Sequence, residues 1–237
     1  MSRVTQNLVL LLVGLSIAAM LVKGTYLNYV KPGLLPWLAA SAVVLVVLGG
    51  AAIVRDLRHG HHDGEDHELG HQHRGGLVWL LLVPIAMVAF VAPPALGAQG
   101  TSPAPAAAPP QRRAFPPLPA GDAPSVSLPE VVMRAAADST NSLVGRSITL
   151  TGFTLLRPDG VDLGRVVIVC CAADAQLARV HLTGPGAAQA AAHPEDTWLR
   201  IRGQIVPGSS QPNDGFIPTM TVTDVTSIDK PANTYAY

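Results

Sequence analysis

The chain lacks two of the compact motifs by which catalytic sites are recognised in a sequence. It has no glycine-rich phosphate-binding loop and no Gly-x-Ser-x-Gly turn of the kind that serine hydrolases use. Serine, threonine and aspartate are plentiful, but no arrangement singles out a nucleophile beside a base. We therefore predict that the protein is not an enzyme and that it carries no organic cofactor.

Cysteine is also scarce, since the only two, Cys170 and Cys171, are adjacent in the chain. The Cys-x-x-Cys spacing that most readily lowers a thiol pKa is missing. Neighbouring side chains of a strand point to opposite faces, so a disulfide between these two would distort the peptide unit that joins them. The pair therefore does not predict an ordinary disulfide.

Charge is absent from three apolar segments, Asn7–Val22, Leu34–Val54 and Leu77–Leu96. About 20 apolar residues cross a bilayer, so the second and third segments are long enough, and the first suffices if Lys23 extends to the membrane surface. We expect three transmembrane helices. A cleaved signal peptide is the alternative for the first segment, although Lys23 and Tyr26 favour an interfacial turn into the second helix.

A histidine-rich loop, residues 55–76, joins the second and third segments. Between His59 and His73 it contains six of the eight histidines, mixed with four carboxylates. Its glycines oppose a continuous helix, so we expect modest affinity and fast exchange of a divalent metal. A hydrophilic connector and a pH sensor are the alternative interpretations. The candidate metal ligands here are His59, His61, His62, Asp63, His67, His71 and His73.

Basic residues flank the apolar segments almost equally, so they do not decide the orientation. The Ala-Leu-Gly-Ala stretch at 95–98 resembles the small-residue cleavage region of an export signal, and a Pro/Ala-rich linker, residues 99–124, follows. We expect a multi-pass plasma-membrane protein with its N-terminus and histidine loop in the cytoplasm. The linker is expected to be extended, with residues 125–237 outside the cytoplasm. Cleavage after Ala98 stays open.

Residues 125–237 predict one mainly-β domain of about 110 residues. A short helix is expected after Ser127, and glycines such as Gly152 and Gly203 lie where a small OB-like barrel must bend. A small open sheet is the alternative. Acidic residues outnumber basic ones in this part, which disfavours nucleic-acid binding. The predicted strands, rich in β-branched residues, are 147–156, 165–173, 178–184, 197–206 and 218–228.

The cysteine pair has three interpretations. One or both side chains can be small buried hydrophobes of a core strand. They can instead bind a soft metal or zinc together with Asp174, His181 or His193. A redox or nucleophilic role is the third. Strand alternation places His181 on the face of Arg179 and predicts that it faces solvent.

Several segments resemble the bacterial two-component permease subunits of the YcgQ-like type. They are Cys-Cys-Ala-Ala-Asp-Ala, the upstream Gly-Arg-Ser-Ile-Thr-Leu-Thr-Gly-Phe, the downstream Asp-Thr-Trp-Leu-Arg-Ile-Arg-Gly and the terminal Lys-Pro-Ala-Asn-Thr-Tyr-Ala-Tyr. The resemblance implies a membrane subunit that works beside a separate multi-helix permease and is linked to the supply of zinc or another divalent transition metal. The matching positions are Gly145, Gly152, Cys170, Cys171, Asp174, Trp198, Gly203 and Tyr235.

Taken together, these features predict an integral membrane accessory subunit of a permease that handles a divalent, zinc-like metal. A membrane-tethered thiol-redox protein and a scaffold that docks a partner without metal are the alternatives.

Overall fold

The computed structural model describes residues 3–59, 95–97 and 111–236, and the chain divides into two compact units, Met1–Pro94 and Ala95–Tyr237. The third apolar segment, apart from Ala95 and Leu96, and nearly all of the histidine loop lie outside the described residues.

The described part of the first unit contains two long apolar helices, α1 (Arg3–Lys23) and α2 (Leu35–His59). Two short 3-10 turns, Thr25–Asn28 and Pro32–Leu34, join them. Both helices are long and apolar enough to cross a membrane, and only 6% and 11% of their apolar windows are buried within the protein. So little burial differs from the core helix of a soluble protein, which supports membrane association.

Small residues let α1 and α2 approach closely. A Cβ atom added to Gly49 would lie 2.9 Å from the backbone nitrogen of Leu11, and one added to Gly14 would lie 2.9 Å from Val46 Cγ2. The next residue, Gly50, faces open space. Glycine at such crossings replaces side-chain bulk with backbone contact, which is a common way for helices to associate in lipid.

The second unit is a mixed five-stranded sheet with two helices. The predicted helix after Ser127 is confirmed, although the Ser127 side chain makes no capping hydrogen bond. All five predicted strands are present with shifted ends. The elements are α3 (Leu128–Ala137), β1 (Ser147–Arg157), β2 (Gly160–Val167), β3 (Gln176–Thr183), α4 (Pro185–Ala191), β4 (Trp198–Ile205) and β5 (Thr219–Ser227).

The strands are hydrogen-bonded in the order β1-β2-β3-β5-β4, and β4 returns to β1, so the sheet closes as a barrel. Only the β3–β5 pair is parallel. The predicted bend at Gly203 is present, since the register between β4 and β5 shifts at Arg202 and Gly203. A Cβ atom at Gly203 would collide with the backbone of Thr221, so only glycine fits this bulge.

Two groups of buried side chains fill this unit. The larger lies inside the barrel under α3 and includes Val131, Leu150, Leu163 and Ile201. The smaller surrounds Phe153 and Trp198, whose rings meet edge to face with centroids 5.7 Å apart, and includes Tyr235. Trp198 is therefore a core aromatic.

Part of the predicted linker packs against the second unit. The backbone of Arg113 donates to Ala137 O and accepts from Ser139 N at 2.9 and 3.0 Å. The ring of Phe115 lies between two guanidinium groups, 4.8 Å from that of Arg113 and 5.1 Å from that of Arg134. Residues 111–124 are thus fastened beside α3 rather than extended away from it.

Candidate metal centre

The cysteine pair lies in the segment between β2 and β3, not in a strand. The prediction of a strand over 165–173 was wrong at both ends, because β2 begins at Gly160 and stops at Val167. Ile168 is the last fully buried residue of this run, and Val169 and Cys170 are exposed. Cys171 is half-buried, so the interpretation of one or both cysteines as buried core residues is wrong.

The side chain of Asp174 explains why the strand stops. Its carboxylate accepts hydrogen bonds from the backbone N–H groups of Val169, Cys170 and Cys171 at 2.7, 2.8 and 3.2 Å. A short 3-10 turn, Ala172–Asp174, brings the carboxylate back over these amides, and Cys171 Sγ accepts the N–H of Asp174 in return. These reciprocal bonds form a capping box that holds the turn.

The same turn gathers three side chains with metal-binding atoms. The Cys170 thiol donates to Asp174 Oδ2 over 2.8 Å, and the two sulfur atoms lie 3.7 Å apart. Both cysteines are free thiols. One ligand atom from each of Cys170, Cys171 and Asp174 lies within 4.8 Å of the others, and this is the only group of three or more such ligands found in the part of the chain that the structure describes.

The carboxylate and the thiol shift each other's pKa in opposite directions. The hydrogen bond to Asp174, followed by that to Cys171, raises the pKa of Cys170 to about 11. The bond from Cys170 lowers the pKa of Asp174 to about 2, and the three backbone N–H groups add to this effect against some desolvation. At neutral pH the site therefore holds a carboxylate beside a protonated thiol.

This geometry suits a tetrahedral metal ion. With Zn–S bonds of about 2.3 Å, two thiolate sulfurs of a tetrahedral site lie about 3.8 Å apart. The 3.7 Å between the two sulfurs matches that spacing. A sulfur and an oxygen on one zinc lie about 3.5 Å apart, so Asp174 would retreat by about 0.7 Å from its present 2.8 Å contact with Cys170. The metal would take the place of the thiol proton.

The high pKa of Cys170 argues against the thiol-redox interpretation. Thiol nucleophiles react as thiolates, and their sites usually stabilise that anion with positive charge or a helix N-terminus. Here the nearest ionised group is a carboxylate, which favours the protonated form.

The two remaining histidines do not join the cysteines. His181 shares the face of Arg179, as predicted, but it does not simply face solvent: its Nδ1 lies 2.8 Å from the buried carboxylate of Asp162. His193 follows α4, where its N–H donates to Ala190 O. Of the loop ligands, only His59 falls in a described helix, at the end of α2, and the others lie outside the described residues.

One sequence pattern was missed. His67-Glu68-Leu69-Gly70-His71 has the His-Glu-x-x-His spacing of zinc peptidases, in which the two histidines share one helix face and bind zinc and the glutamate is the general base. This stretch lies outside the described residues. The prediction that the protein is not an enzyme therefore stays a prediction.

The other positions that carried the resemblance support the fold. Gly145 has a φ of 70°, and Gly152 has no room for a Cβ atom beside the backbone of Gly164. Tyr235 is fully buried, and its hydroxyl accepts the N–H of Leu96 at 2.8 Å. These roles are structural.

No curated protein and no solved structure matches the chain. Residues 130–237 match the family model described as the DUF1980 C-terminal domain. The part of the chain that contains the five strands and the group formed by Cys170, Cys171 and Asp174 is therefore similar to that family.

Proposed function

We propose that the chain is a membrane-anchored accessory subunit that binds a divalent, zinc-like metal ion through Cys170, Cys171 and Asp174. It works beside a multi-helix permease subunit, which supplies the conduction path that two or three helices cannot form alone. The barrel, which we assign to the OB type, lies outside the cytoplasm. The histidine loop, residues 55–76, collects the same metal on the cytoplasmic side.

The observation that carries this proposal is the spacing of the three ligand atoms. Two sulfurs 3.7 Å apart and a carboxylate against one of them already have nearly the separations that one tetrahedral ion requires. Cys170 is exposed and Cys171 is half-buried, so an ion reaches them without opening the barrel. Three protein ligands leave a fourth position for water or for a group of the partner, as in sites that exchange their metal.

Zinc titration of the detergent-solubilised full chain against a chromophoric chelator tests the proposal. Cys170→Ser with Cys171→Ser should abolish the tighter class of binding and leave the weaker class in the histidine loop. Replacing the six loop histidines by Asn should do the reverse. Ala173→Ser, an exposed position of the same turn, is the matched control and should bind as the unaltered chain does.

Two outcomes would contradict the proposal. If the unaltered chain binds no zinc, or if the double serine variant binds it equally well, the turn Cys170–Asp174 (the cysteine turn) is not a metal site. If instead both thiols react rapidly with a disulfide reagent near neutral pH, the thiol-redox function gains support, because such reactivity needs a thiolate.

A further inference from the structure

A second polar site lies at the other end of β2. There the β1–β2 turn, β3 and the loop before β5 surround an open cleft of about 560 Å³. Asp162 lines this cleft, and five residue steps of strand, about 17 Å, separate it from the end of β2 near the cysteines. The volume falls within the range of ordinary small-molecule sites. The site shares no residue with the cysteine turn and does not depend on the proposed metal function.

A buried carboxylate organises the cleft. The side chain of Asp162 is only 5% exposed, and three cationic or potentially cationic side chains converge on it. His181 Nδ1 lies 2.8 Å, Arg179 Nη1 3.3 Å and Arg157 Nε 3.6 Å from its oxygens. The hydrogen bond to His181 also fixes the orientation of the imidazole ring, and thereby the direction of Nε2.

These donors exceed what Asp162 needs. One guanidinium neutralises one buried carboxylate, so the second one leaves a surplus of positive charge and of N–H groups. Arg157 reaches Asp162 with Nε and Arg179 reaches it with Nη1, and a guanidinium carries five N–H groups, more than one such contact uses. The three side chains are 25–37% exposed at the cleft. The planar guanidinium fork matches the paired oxygens of a carboxylate or phosphate.

On both sides of the cleft, residues adopt uncommon backbone conformations of the kind that are found at ligand-binding sites. Gly160 has a φ of 149°, and a Cβ atom there would lie 3.1 Å from His181 Cε1, so the absence of a side chain at this position leaves room for the imidazole. In the loop before β5, Phe216 holds a φ of 60° next to Gly215, a lining residue. A bulky side chain rarely adopts this conformation, and such strain concentrates at ligand sites.

Two exposed carboxylates, Asp159 and Asp214, stand among the lining residues. When these two carboxylates and Asp162 are counted, the residues that line the cleft no longer carry a net positive formal charge, which disfavours the binding of nucleic acid and other polyanions. Exposed charges are screened by water and salt, whereas the donors around Asp162 are partly withdrawn from both. The arrangement suits a small ligand that directs one anionic group inward and hydroxyl or ammonium groups outward.

We infer that this cleft binds a small oxyanion-bearing molecule, whose carboxylate or phosphate group is held by Arg157 and Arg179 beside the His181 ring. Asp162 is a positioning residue that orients the two guanidinium groups and the imidazole ring. The oxyanion belongs either to a soluble metabolite-sized ligand or to a phospholipid headgroup, and both present the same chemistry to the guanidinium forks.

The test follows the His181 ring by NMR in the full chain labelled at histidine, with His181→Asn to identify its resonance. Sodium phosphate and sodium acetate are titrated separately at constant ionic strength into phosphate-free detergent micelles, and a third titration adds phosphatidylglycerol. We expect a saturable shift of the His181 signal. Saturation by a soluble ion identifies a soluble ligand, and saturation by phosphatidylglycerol alone identifies a headgroup.

Arg157→Gln with Arg179→Gln should weaken this binding by at least about tenfold, because two charge-assisted contacts are lost. Arg200→Gln with Arg202→Gln removes the same charge from exposed positions of β4 and should leave it unchanged. Circular dichroism and thermal unfolding report whether each variant is folded. Arg179→Lys keeps the charge without the fork and should weaken binding even if the double variant does not fold. No saturable shift in any titration, or equal binding by Arg179→Lys, would overturn the inference.

Discussion

At the scale of single residues, Asp174 does more than any other side chain to shape the candidate metal centre. It ends β2 by capturing three backbone N–H groups, and it keeps the Cys170 thiol protonated. One carboxylate therefore sets both the local backbone and the local chemistry.

Asp174→Asn should make Cys170 more reactive. The substitution replaces the charged acceptor of the hydrogen bond that is the largest cause of the raised Cys170 pKa, so the pKa should fall from about 11 toward its ordinary value. The rate of alkylation by iodoacetamide, measured between pH 7 and 11, should then rise at lower pH than in the unaltered chain. Ala173→Ser, in the same turn, should not move this profile. A profile that the Asp174→Asn substitution leaves unchanged would show that the carboxylate does not control the thiol.

The same two groups have opposite consequences for stability against pH. Asp174 has a lowered pKa, so its contribution is present above the unfolded value near 4 and is lost as the pH falls toward 2. Cys170 has a raised pKa, so its contribution is present below the unfolded value and is lost as the pH rises through about 11. The turn should therefore contribute most to the stability of the folded chain at pH values between the unfolded pKa of the aspartate and the unfolded pKa of the cysteine.

At the scale of elements, the β-branched runs located all five strands, because alternating burial leaves a period of two in the sequence. The second strand was misplaced for a physical reason. Its true first half, Gly160–Gly164, contains two glycines and Asp162, which lower strand propensity, and its partners on β1 and β3 supply the stabilisation. The apolar run into Cys170 continued the pattern, but the side chain of Asp174 ended the strand.

The candidate sites differ in how far the sequence reveals them. Cys170, Cys171 and Asp174 are close in the chain, so their chemistry was visible before the fold. Asp162 and His181 lie on different strands, and their contact depends on the register of β2 against β3. A pattern along one strand carries no information about that register.

Gly49 and Gly50 are neighbours on α2, but only Gly49 lies against α1, so substitutions at the two positions test the contact between the helices. Gly49→Ala should push the helices apart, because the new methyl group would meet the backbone of Leu11 at about 3 Å. Gly50→Ala meets open space and should leave stability unchanged or raise it by up to about 1 kcal/mol through helix propensity. Thermal unfolding of the full chain in one detergent measures both. Equal effects of the two substitutions would contradict this close approach.

At the scale of the whole molecule, one unit is made of apolar helices whose side chains are largely uncovered, and the other is a packed barrel with its own core. The first unit needs an apolar surrounding, whereas the second buries its hydrophobic residues by itself. Such a division suits a domain that works in water while the chain is held at a lipid surface.

The full chain should therefore stay with membranes when they are washed with alkaline carbonate. Two apolar helices of this length bury too much hydrocarbon surface for a wash that disrupts only polar contacts to release them. The measurement is the share of protein in the pellet, with a peripheral membrane protein as the control that is washed off. Recovery of the chain in the supernatant would rule out integral insertion.

The contact of Ala236 with β2 has a consequence for the timing of synthesis. Ala236 N–H donates to Val166 O and Ala236 O accepts from Ile168 N, so β2 is completed by a residue about 70 positions later in the chain. Tyr235 beside it fills the smaller core. A ribosome or a secretion channel must deliver residue 236 before these bonds form, and until then the segment leading to Cys170 lacks this support. The cysteine turn should thus reach its final form only after the rest of the domain has been delivered.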